Sequence, residues 1–188
     1  MAFLSAEGKT MTAQIPDTFL FDGDEYSLIG IKGDGLASPN QFGMEPEMIH
    51  TACYRGFYAT YELTTEAIYL RELTLREKNG NYLPIGGIKP TKQEYQATYQ
   101  GLNELVPFTG KIRLAKDFIE VLYIHMGYQK PTAFKTVIDI TITDGKVIAI
   151  RDRSREMKQK RGSFKKHYES EGMLQRIDEA FSLDMDLE

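Results

Sequence analysis

Hydrophobic and polar residues alternate with a period of two along most of the chain between residues 18 and 151. This period is typical of strands with one buried face, and the segments are short and separated by Gly, Pro, Asn and Asp. Turn residues at Asp22-Gly23-Asp24, Asn79-Gly80 and Asp144-Gly145 indicate hairpins. The pattern predicts strands at residues 18–21, 26–31, 49–63, 68–75, 111–114 and 118–124, and a hairpin at 134–150.

Two details of strand register follow from the same pattern. Ile68 and Leu70 occupy one parity of their strand whereas Leu73 and Leu75 occupy the other, so a β-bulge is predicted near Arg71. Residues 95–105 fit either a helix or a strand. For the last hairpin, a two-residue turn predicts the cross-strand pairs Ile142–Val147, Ile140–Ala149 and Ile138–Arg151.

Nine or ten short strands joined by short turns predict a mainly β, β-rich α+β fold. We expect an antiparallel meander that closes into a small barrel or, as the second choice, packs as a sandwich. Residues 1–14 are small and polar and predict a flexible tail, and residues 15–151 then form the β-rich domain. Residues 152–188 form a charged segment with a C-terminal helix, which packs on the domain or extends from it. Helical spacing is carried there by Met173, Leu174, Ile177, Ala180 and Phe181.

Charge is distributed unevenly at the C-terminal end. Residues 151–167 contain eight Lys or Arg and two acids, a net charge of +6, whereas residues 169–188 carry a net charge of −6. The whole chain has a net charge of −4, which is too small to imply a nucleic-acid or membrane partner. Few aromatic residues accompany the basic run, so we do not expect nucleic acid as a partner.

Composition and motifs exclude several classes of site. The single cysteine, Cys53, rules out an internal disulfide and a multi-cysteine zinc site. No signal peptide and no run of ~18 apolar residues is found, so we expect a cytoplasmic protein without a membrane partner. The histidines (His50, His125 and His167) are far apart in sequence, and although such residues can converge in space we expect no metal, cofactor or catalytic set.

Arg55 is the most informative position, because it interrupts the apolar parity of the predicted strand 49–63 next to Gly56. Burying a guanidinium without a partner costs several kcal/mol. Three interpretations follow. An internal carboxylate such as Glu62 or Glu72 pairs with it, a bulge at Gly56 turns it outward, or it awaits a carboxylate or phosphate ligand.

Four further polar positions are candidates. His50 and Cys53 suggest a base and a nucleophile, but residues three apart in a regular strand point to opposite faces. We therefore expect Cys53 to be a small buried hydrophobe. Arg113 shares a strand face with Lys111, and we expect that face to be solvated. His125 closes an apolar strand, and we expect it to be structural.

Three phrases of the sequence resemble a set of uncharacterised bacterial proteins. They are TACYRG at residues 51–56, PFTGKIR at 107–113 and IHMGY at 124–128. In that set Trp more often stands at the position of Tyr54, and Trp-Phe at the position of Pro107-Phe108. The resemblance covers residues 48–150 or so and implies a bacterial, cytosolic protein, but it implies no activity.

These observations favour a non-enzymatic binding protein for a small anionic ligand or a protein partner. One alternative is an enzyme in which Arg55 holds substrate while His50, Cys53 or His125 transfers a proton. Another is an immunity-type or accessory protein that acts through its surface and its bipolar C-terminus. The candidate ligand-binding residues are Arg55, Tyr54, Tyr58, His50, Cys53, Arg113 and His125.

Overall fold

The computed structural model describes residues 12–33, 36–167 and 180–185. Within these ranges the chain forms ten strands and one α-helix, α1, over Ser154–His167. Short 3-10 helices lie at Pro39–Phe42, Glu120–Leu122 and Pro131–Ala133. The strands are β1 (Thr18–Phe21), β2 (Asp24–Gly33), β3 (Phe57–Leu63), β4 (Ile68–Leu75), β5 (Thr91–Lys92), β6 (Ala97–Tyr99), β7 (Glu104–Leu105), β8 (Gly110–Phe118), β9 (Phe134–Thr143) and β10 (Lys146–Asp152).

All ten strands belong to one mixed sheet in the order β10-β9-β8-β2-β1-β3-β4-β6-β5, and β7 also pairs with β4. The β-rich class is confirmed. The simple antiparallel meander is wrong, because β1 pairs with β3 in parallel and β8 lies against β2. The sheet does not close into a barrel, and a sandwich fits it. One edge strand, β5, is only two residues long, which is too short to pair along the seven-residue β10.

Both halves of the sheet share one hydrophobic core. Phe19 of β1 and Tyr61 of β3 are opposite each other in the parallel ladder, and their rings stack at 4.9 Å. From the other half, Ile112 of β8 and Ile140 of β9 enter the same cluster of fully buried side chains. The sheet halves also meet at one corner, where the Val147 N–H donates to the Thr65 carbonyl over 3.0 Å. Burial of this shared face explains the period-two pattern.

Several local predictions are confirmed. The first hairpin turns at Asp22 and Gly23, whose φ values of 51° and 79° match a tight turn with the right-handed twist of its strands. The bulge near Arg71 exists, since Thr60 pairs with Glu72 and the next residue of β3 pairs with Leu70. Residues 95–105, for which helix and strand both remained open, contribute β6 and β7.

Two predicted strands are shorter than expected. The strand expected at 49–63 begins only at Phe57, because Gly56 has a φ of 80° and packs against the Glu47 backbone. The hairpin signal at Asn79-Gly80 corresponds to a turn without strands on both sides. The segment expected as a strand at 118–124 ends its extended conformation at Phe118 and continues into a 3-10 helix.

The chain ends also differ from expectation where they are described. Residues 12–14 belong to the folded body rather than to the predicted tail of residues 1–14, because the Gln14 N–H donates to the Gly127 carbonyl. The Gln14 side-chain amide also bonds the Thr51 carbonyl over 2.9 Å. Residues 1–11 lie outside the described residues. The predicted helix around Met173 lies outside them as well except at its end, and the helix described here is α1 in the basic segment.

The last hairpin turns at Asp144-Gly145 as predicted, but its register is wrong beyond the first pair. Val147 faces Ile142 as expected, whereas Ala149 faces Thr141 and Arg151 faces Asp139. The cause is a bulge at Ile148, which inserts one residue into β10. Every later side chain of β10 therefore changes face.

Among the described residues, no helix is both long enough and apolar enough to cross a membrane.

Candidate functional site

Arg55 lies in the turn before β3, where an internal carboxylate binds it. Its Nη1 donates to Asp17 Oδ2 over 3.0 Å, Nη2 makes a short contact with Asp17 Oδ1, and Nε donates to the Phe57 carbonyl over 2.8 Å. The Asp17 side chain is only 3% exposed and also accepts the Ala59 N–H over 2.7 Å. The internal-acid interpretation of Arg55 therefore holds, with a different acid from those predicted. Glu62 instead binds Arg71.

This ion pair fastens three separate parts of the chain together. Asp17 precedes β1, Arg55 belongs to the loop before β3, and Ala59 lies inside β3. The guanidinium also covers the Phe57 ring at 4.7 Å. With three of its donor groups engaged, and with no part in the lining of the cavity described below, Arg55 has the geometry of a structural residue. The expectation that it awaits a ligand is not supported.

Cys53 is buried, and its Sγ lies 3.4 Å from the Phe57 carbonyl. Burial raises the pKa of the Cys53 thiol, and the nearby Arg55 only partly opposes that shift. The thiol therefore stays protonated through the neutral range, which is unfavourable for a nucleophile. His50 is exposed, and its Nδ1 accepts the Ala52 N–H over 3.2 Å rather than a proton from Cys53.

The remaining predicted residues are scattered. Tyr54 is partly exposed and its ring meets Phe181 edge-on at 5.6 Å. Tyr58 is half-buried in β3, and His125 is exposed beside the Tyr123 ring. The structure thus does not gather the predicted set into one site. Of the seven candidates, only Arg113 lines the cavity described next.

A cavity of about 630 Å³ lies on the sheet face opposite the core, over β8, β9 and β10. Its position follows from strand parity, because Ile112 and Ile140 point to the core while their neighbours point to the cavity. At one end the same face is covered by α1, whose Met157 packs on Ala115 and Val137. Five basic residues line the cavity, with one carboxylate: Lys32, Lys111, Arg113, Arg151, Arg153 and Asp139.

Strand register arranges these charges in two rows across the sheet. In the first row Arg113, Asp139 and Arg151 are direct cross-strand neighbours on β8, β9 and β10. In the second row Lys32 pairs with Lys111, which in turn faces Thr141. The rows are two residues apart along each strand, or roughly 7 Å.

Asp139 sits at the centre of the first row. Arg113, whose side chain is 5% exposed, donates from Nε to Asp139 Oδ1 over 2.6 Å and from Nη2 to Oδ2 over 2.9 Å. Arg153 approaches the same carboxylate, with its Nε 3.8 Å from Asp139 Oδ2. That Nε is buried and has no hydrogen-bond partner among the described residues. Asp139 therefore binds Arg113 fully, whereas the closer ion pair of Arg153 is the one its Nη2 makes with Glu156 Oε1 over 2.9 Å.

The bulge at Ile148 is what adds Arg151 to the cavity. In the regular register predicted from the sequence, Arg151 would face Ile138 of the core-facing set. With one residue inserted, Arg151 instead faces Asp139 on the opposite side of the sheet. A bulge next to a cavity re-aims a side chain, which is a common use of this irregularity.

Two glycine contacts shape the rim of the cavity. Gly33 and Gly110 are paired across β2 and β8, and a Cβ on Gly110 would lie 2.2 Å from the Lys32 carbonyl oxygen. On the other side the described end of the chain reaches over β2. There the Ile31 N–H donates to the Leu183 carbonyl over 2.6 Å, and Met185 lines the cavity.

Sequence reasoning named Arg113 and noticed Lys111 but expected their face to be solvated. Asp139 and Lys32 were missed, because only the long-range pairing of β9 and β2 with β8 brings them there. In the sequence, Arg151 and Arg153 stand out only as part of the basic run. The sequence did carry one signal: polar and apolar residues alternate along both β8 and β9, so the polar residues of the two strands share the face away from the core. Among the described residues, no group of three or more His, Cys, Asp or Glu side chains could hold a metal ion.

Comparison with known proteins adds no information about this cavity. No family model, curated protein or solved structure matches the chain. The resemblance of the three phrases to a bacterial protein set therefore stays a prediction.

Proposed function

We propose that this protein binds a small, multiply charged anion in the cavity over β8, β9 and β10. The observation that carries the proposal is the surplus of positive charge, since five basic side chains and a single carboxylate line the same cavity. A cavity of about 630 Å³ has the size of a small-molecule site. Like charges held side by side repel each other, and a bound anion would remove that repulsion.

Lys111 and Arg151 are the cations best placed to meet an incoming ligand. Both are exposed, and neither makes an ion pair with a residue that the structure describes. Arg113 is held behind them by Asp139, which offsets most of its charge. A hydrogen bond to a charged group contributes about 1.5–3 kcal/mol, so two such contacts suffice for measurable affinity.

The lining favours binding over catalysis. Besides Asp139, the cavity is lined by Lys, Arg, Thr, Gly and apolar residues, and among the described residues no His or Cys contributes to it. The one acid present, Asp139, is engaged by Arg113. The cavity therefore offers recognition groups and no evident pair for general acid–base chemistry.

The test is calorimetric titration of the purified protein with pyrophosphate and with citrate at low ionic strength. We expect at least one of them to bind, and we expect Lys111→Glu and Arg151→Glu each to weaken that binding about tenfold or more. The reason is the loss of one charge-assisted contact and its replacement by repulsion.

Lys89→Glu is the matched control, because it makes the same charge change at an exposed position that does not line the cavity. We expect it to leave the affinity within about twofold of the unmodified protein, as screening weakens distant charges. Absence of binding to both anions at millimolar concentration contradicts the proposal. So does an equal loss of affinity in the control.

A further inference from the structure

We propose that the chain carries its own competitor for this cavity in the two acids that follow Met185 in the sequence, Asp186 and Glu188. Their carboxylates pair with cations at the Lys32 end of the cavity and thereby lower its affinity for an anionic ligand. The inference rests on the proposed function, since it names what regulates that same site. It is carried by the described segment 180–185, which ends at the cavity.

This segment is held against the folded body at both of its ends. At its start, the Ala180 carbonyl accepts the Tyr128 N–H over 2.7 Å. Further along, the Leu183 carbonyl accepts the Ile31 N–H over 2.6 Å. The second contact is possible because β1 pairs with β2 only as far as Ser27, which leaves that edge of β2 open for the segment. The segment therefore has a defined position beside β2.

The direction of the segment leads it along β2 toward Lys32. The bridge between Ile31 and Asp184 is parallel, so the chain runs the same way as β2, and Lys32 is the next residue of that strand. Met185 already lines the cavity. It lies so close to the sheet that a Cβ on Gly30 would be 2.9 Å from its Cγ. The two acids thus follow a residue that is placed at the cavity.

Asp186 and Glu188 lie outside the described residues, but the distance they can span follows from chain geometry. Consecutive Cα atoms are about 3.8 Å apart, and three extended residues span roughly 10 Å. Neighbouring strands are about 4.8 Å apart. Starting from Met185, both carboxylates can therefore reach Lys32 on β2 and Arg113 on β8.

The charges of this segment and of the cavity are complementary. Five basic side chains and one carboxylate line the cavity, and the nearby acids already have partners, because Asp139 binds Arg113 and Glu156 binds Arg153. Residues 186–188 add two negative charges and no positive one. Their pairing with cavity cations reduces the repulsion among those cations before any ligand arrives.

A tethered competitor of this kind needs little intrinsic affinity. Groups joined by a short length of chain meet at an effective concentration in the millimolar range, so even weak ion pairs are populated. An anion that enters the cavity has to displace the carboxylates or bind beside them. Its measured affinity is therefore lower than the cations alone would give.

The first test is calorimetric titration of the Asp186→Asn/Glu188→Gln variant with pyrophosphate and with citrate. We expect the anion that binds the unmodified protein to bind this variant about fivefold or more tightly, because it no longer competes with carboxylates. The matched control is Glu25→Gln/Glu94→Gln, which changes the net charge equally at two exposed positions outside the cavity. Its affinity should stay within about twofold of the unmodified protein. Unchanged affinity in the first variant, or an equal gain in the control, overturns the inference.

The second test needs no ligand and uses urea denaturation. Removing both carboxylates leaves the cavity cations to repel each other, so we expect the urea midpoint of Asp186→Asn/Glu188→Gln to fall. In a Lys32→Glu background the same two substitutions should raise the midpoint, because the carboxylates then face a like charge. Lys32 is exposed, so this background should fold, and Lys89→Glu is the control background in which the midpoint should still fall. The same direction of change in both backgrounds overturns the inference.

The two tests separate this inference from the proposed function. If neither anion binds while the midpoint change reverses in the Lys32→Glu background, the proposed function fails and the pairing of the two acids with Lys32 stands. If an anion binds the unmodified protein and the Asp186→Asn/Glu188→Gln variant equally well, without a reversal, the competitor is overturned and the anion site stands. Tighter binding together with the reversal supports both.

Discussion

Two arginine–aspartate pairs in this molecule have nearly the same local geometry and different surroundings. Arg55 and Asp17 are joined through both carboxylate oxygens, and so are Arg113 and Asp139. Around the first pair, the remaining hydrogen bonds of Asp17 and Arg55 go to backbone groups of Phe57 and Ala59 in β3. Around the second pair lie more basic side chains and a cavity.

The comparison shows that the pair itself does not reveal its role. A buried ion pair is costly to form and costly to break, so either pair would look unusual in the sequence. What differs is the balance of charge in the neighbourhood. One positive charge meets one negative charge at the first pair, whereas the described lining of the cavity around the second holds five basic side chains and one carboxylate, and Glu156 beside it pairs with Arg153. An excess of basic side chains beside a cavity favours a role in ligand binding. A charge-balanced pair with no cavity beside it favours a structural role.

The largest effect should come from breaking the first pair. Asp17→Asn leaves the partly buried Arg55 without a charged partner, and we expect a loss of about 3 kcal/mol in the free energy of unfolding. Urea denaturation measures this, and pyrophosphate affinity of the folded variant should be unchanged. Asp22→Asn, at an exposed turn position, is the control and should stay within about 0.5 kcal/mol. A loss below about 1 kcal/mol would show that the pair contributes little to the fold.

A smaller effect should appear in the reactivity of Cys53, which lies next to the first pair. Burial raises its thiol pKa, so at pH 8 we expect alkylation by iodoacetamide to be about tenfold slower in the native protein than in the urea-unfolded chain. Because Cys53 is the one cysteine in the sequence, the rate reports a single site. Equal alkylation rates in the native and unfolded states would contradict the burial of the Cys53 thiol.

The same shift has a consequence for stability, with a definite sign. A group whose pKa is raised by folding holds its proton more tightly in the native state. Its contribution is fully present below the pKa of the unfolded thiol and is lost as the pH rises through the folded value. The free energy of unfolding should therefore fall as the pH rises above the pKa of the unfolded thiol. Urea denaturation at a series of alkaline pH values measures this fall.

The smallest expected effect comes from substitution of Asp139, and it should increase ligand affinity rather than decrease it. Asp139→Asn removes the carboxylate from the cavity lining, and we expect pyrophosphate to bind about threefold to fivefold more tightly, since a repulsion of about 1 kcal/mol is lost. Stability should decrease, because Arg113 loses its charged partner. Calorimetry and urea denaturation measure the two changes. Weaker binding would instead show that Asp139 orients Arg113 toward the ligand.

Much of the sheet could be predicted because its signal is local. Alternation and turn residues located β1, β2, β4 and the last hairpin to within a few residues. The error at residues 49–56 has a physical reason: Cys53 and its neighbours alternate in polarity, but contacts with the distant residues Gln14 and Asp17 hold this segment as a loop. Closure of the sheet was also beyond a local argument, because it depends on the lengths of two edge strands far apart in sequence.

The candidate site was less predictable, because it depends on register. Arg113 could be named from its strand, but its neighbours come from β2, β9 and β10. Whether Arg151 faces the core or the cavity depends on one inserted residue, which the two-residue turn at Asp144-Gly145 does not reveal. The partner of Arg55 could not be named from the sequence, because Asp17 stands outside every predicted strand.

The bulge at Ile148 makes this cavity sensitive to chain length in a way that ordinary substitutions are not. Loss of a single residue between Val147 and Ala149 would leave the hairpin turn and all six charged side chains in the gene product. It would nevertheless rotate Arg151 by half a turn about its strand, toward the hydrophobic interior. Relatives that differ by one deletion here would keep the same fold while losing part of the electrostatic attraction for the ligand.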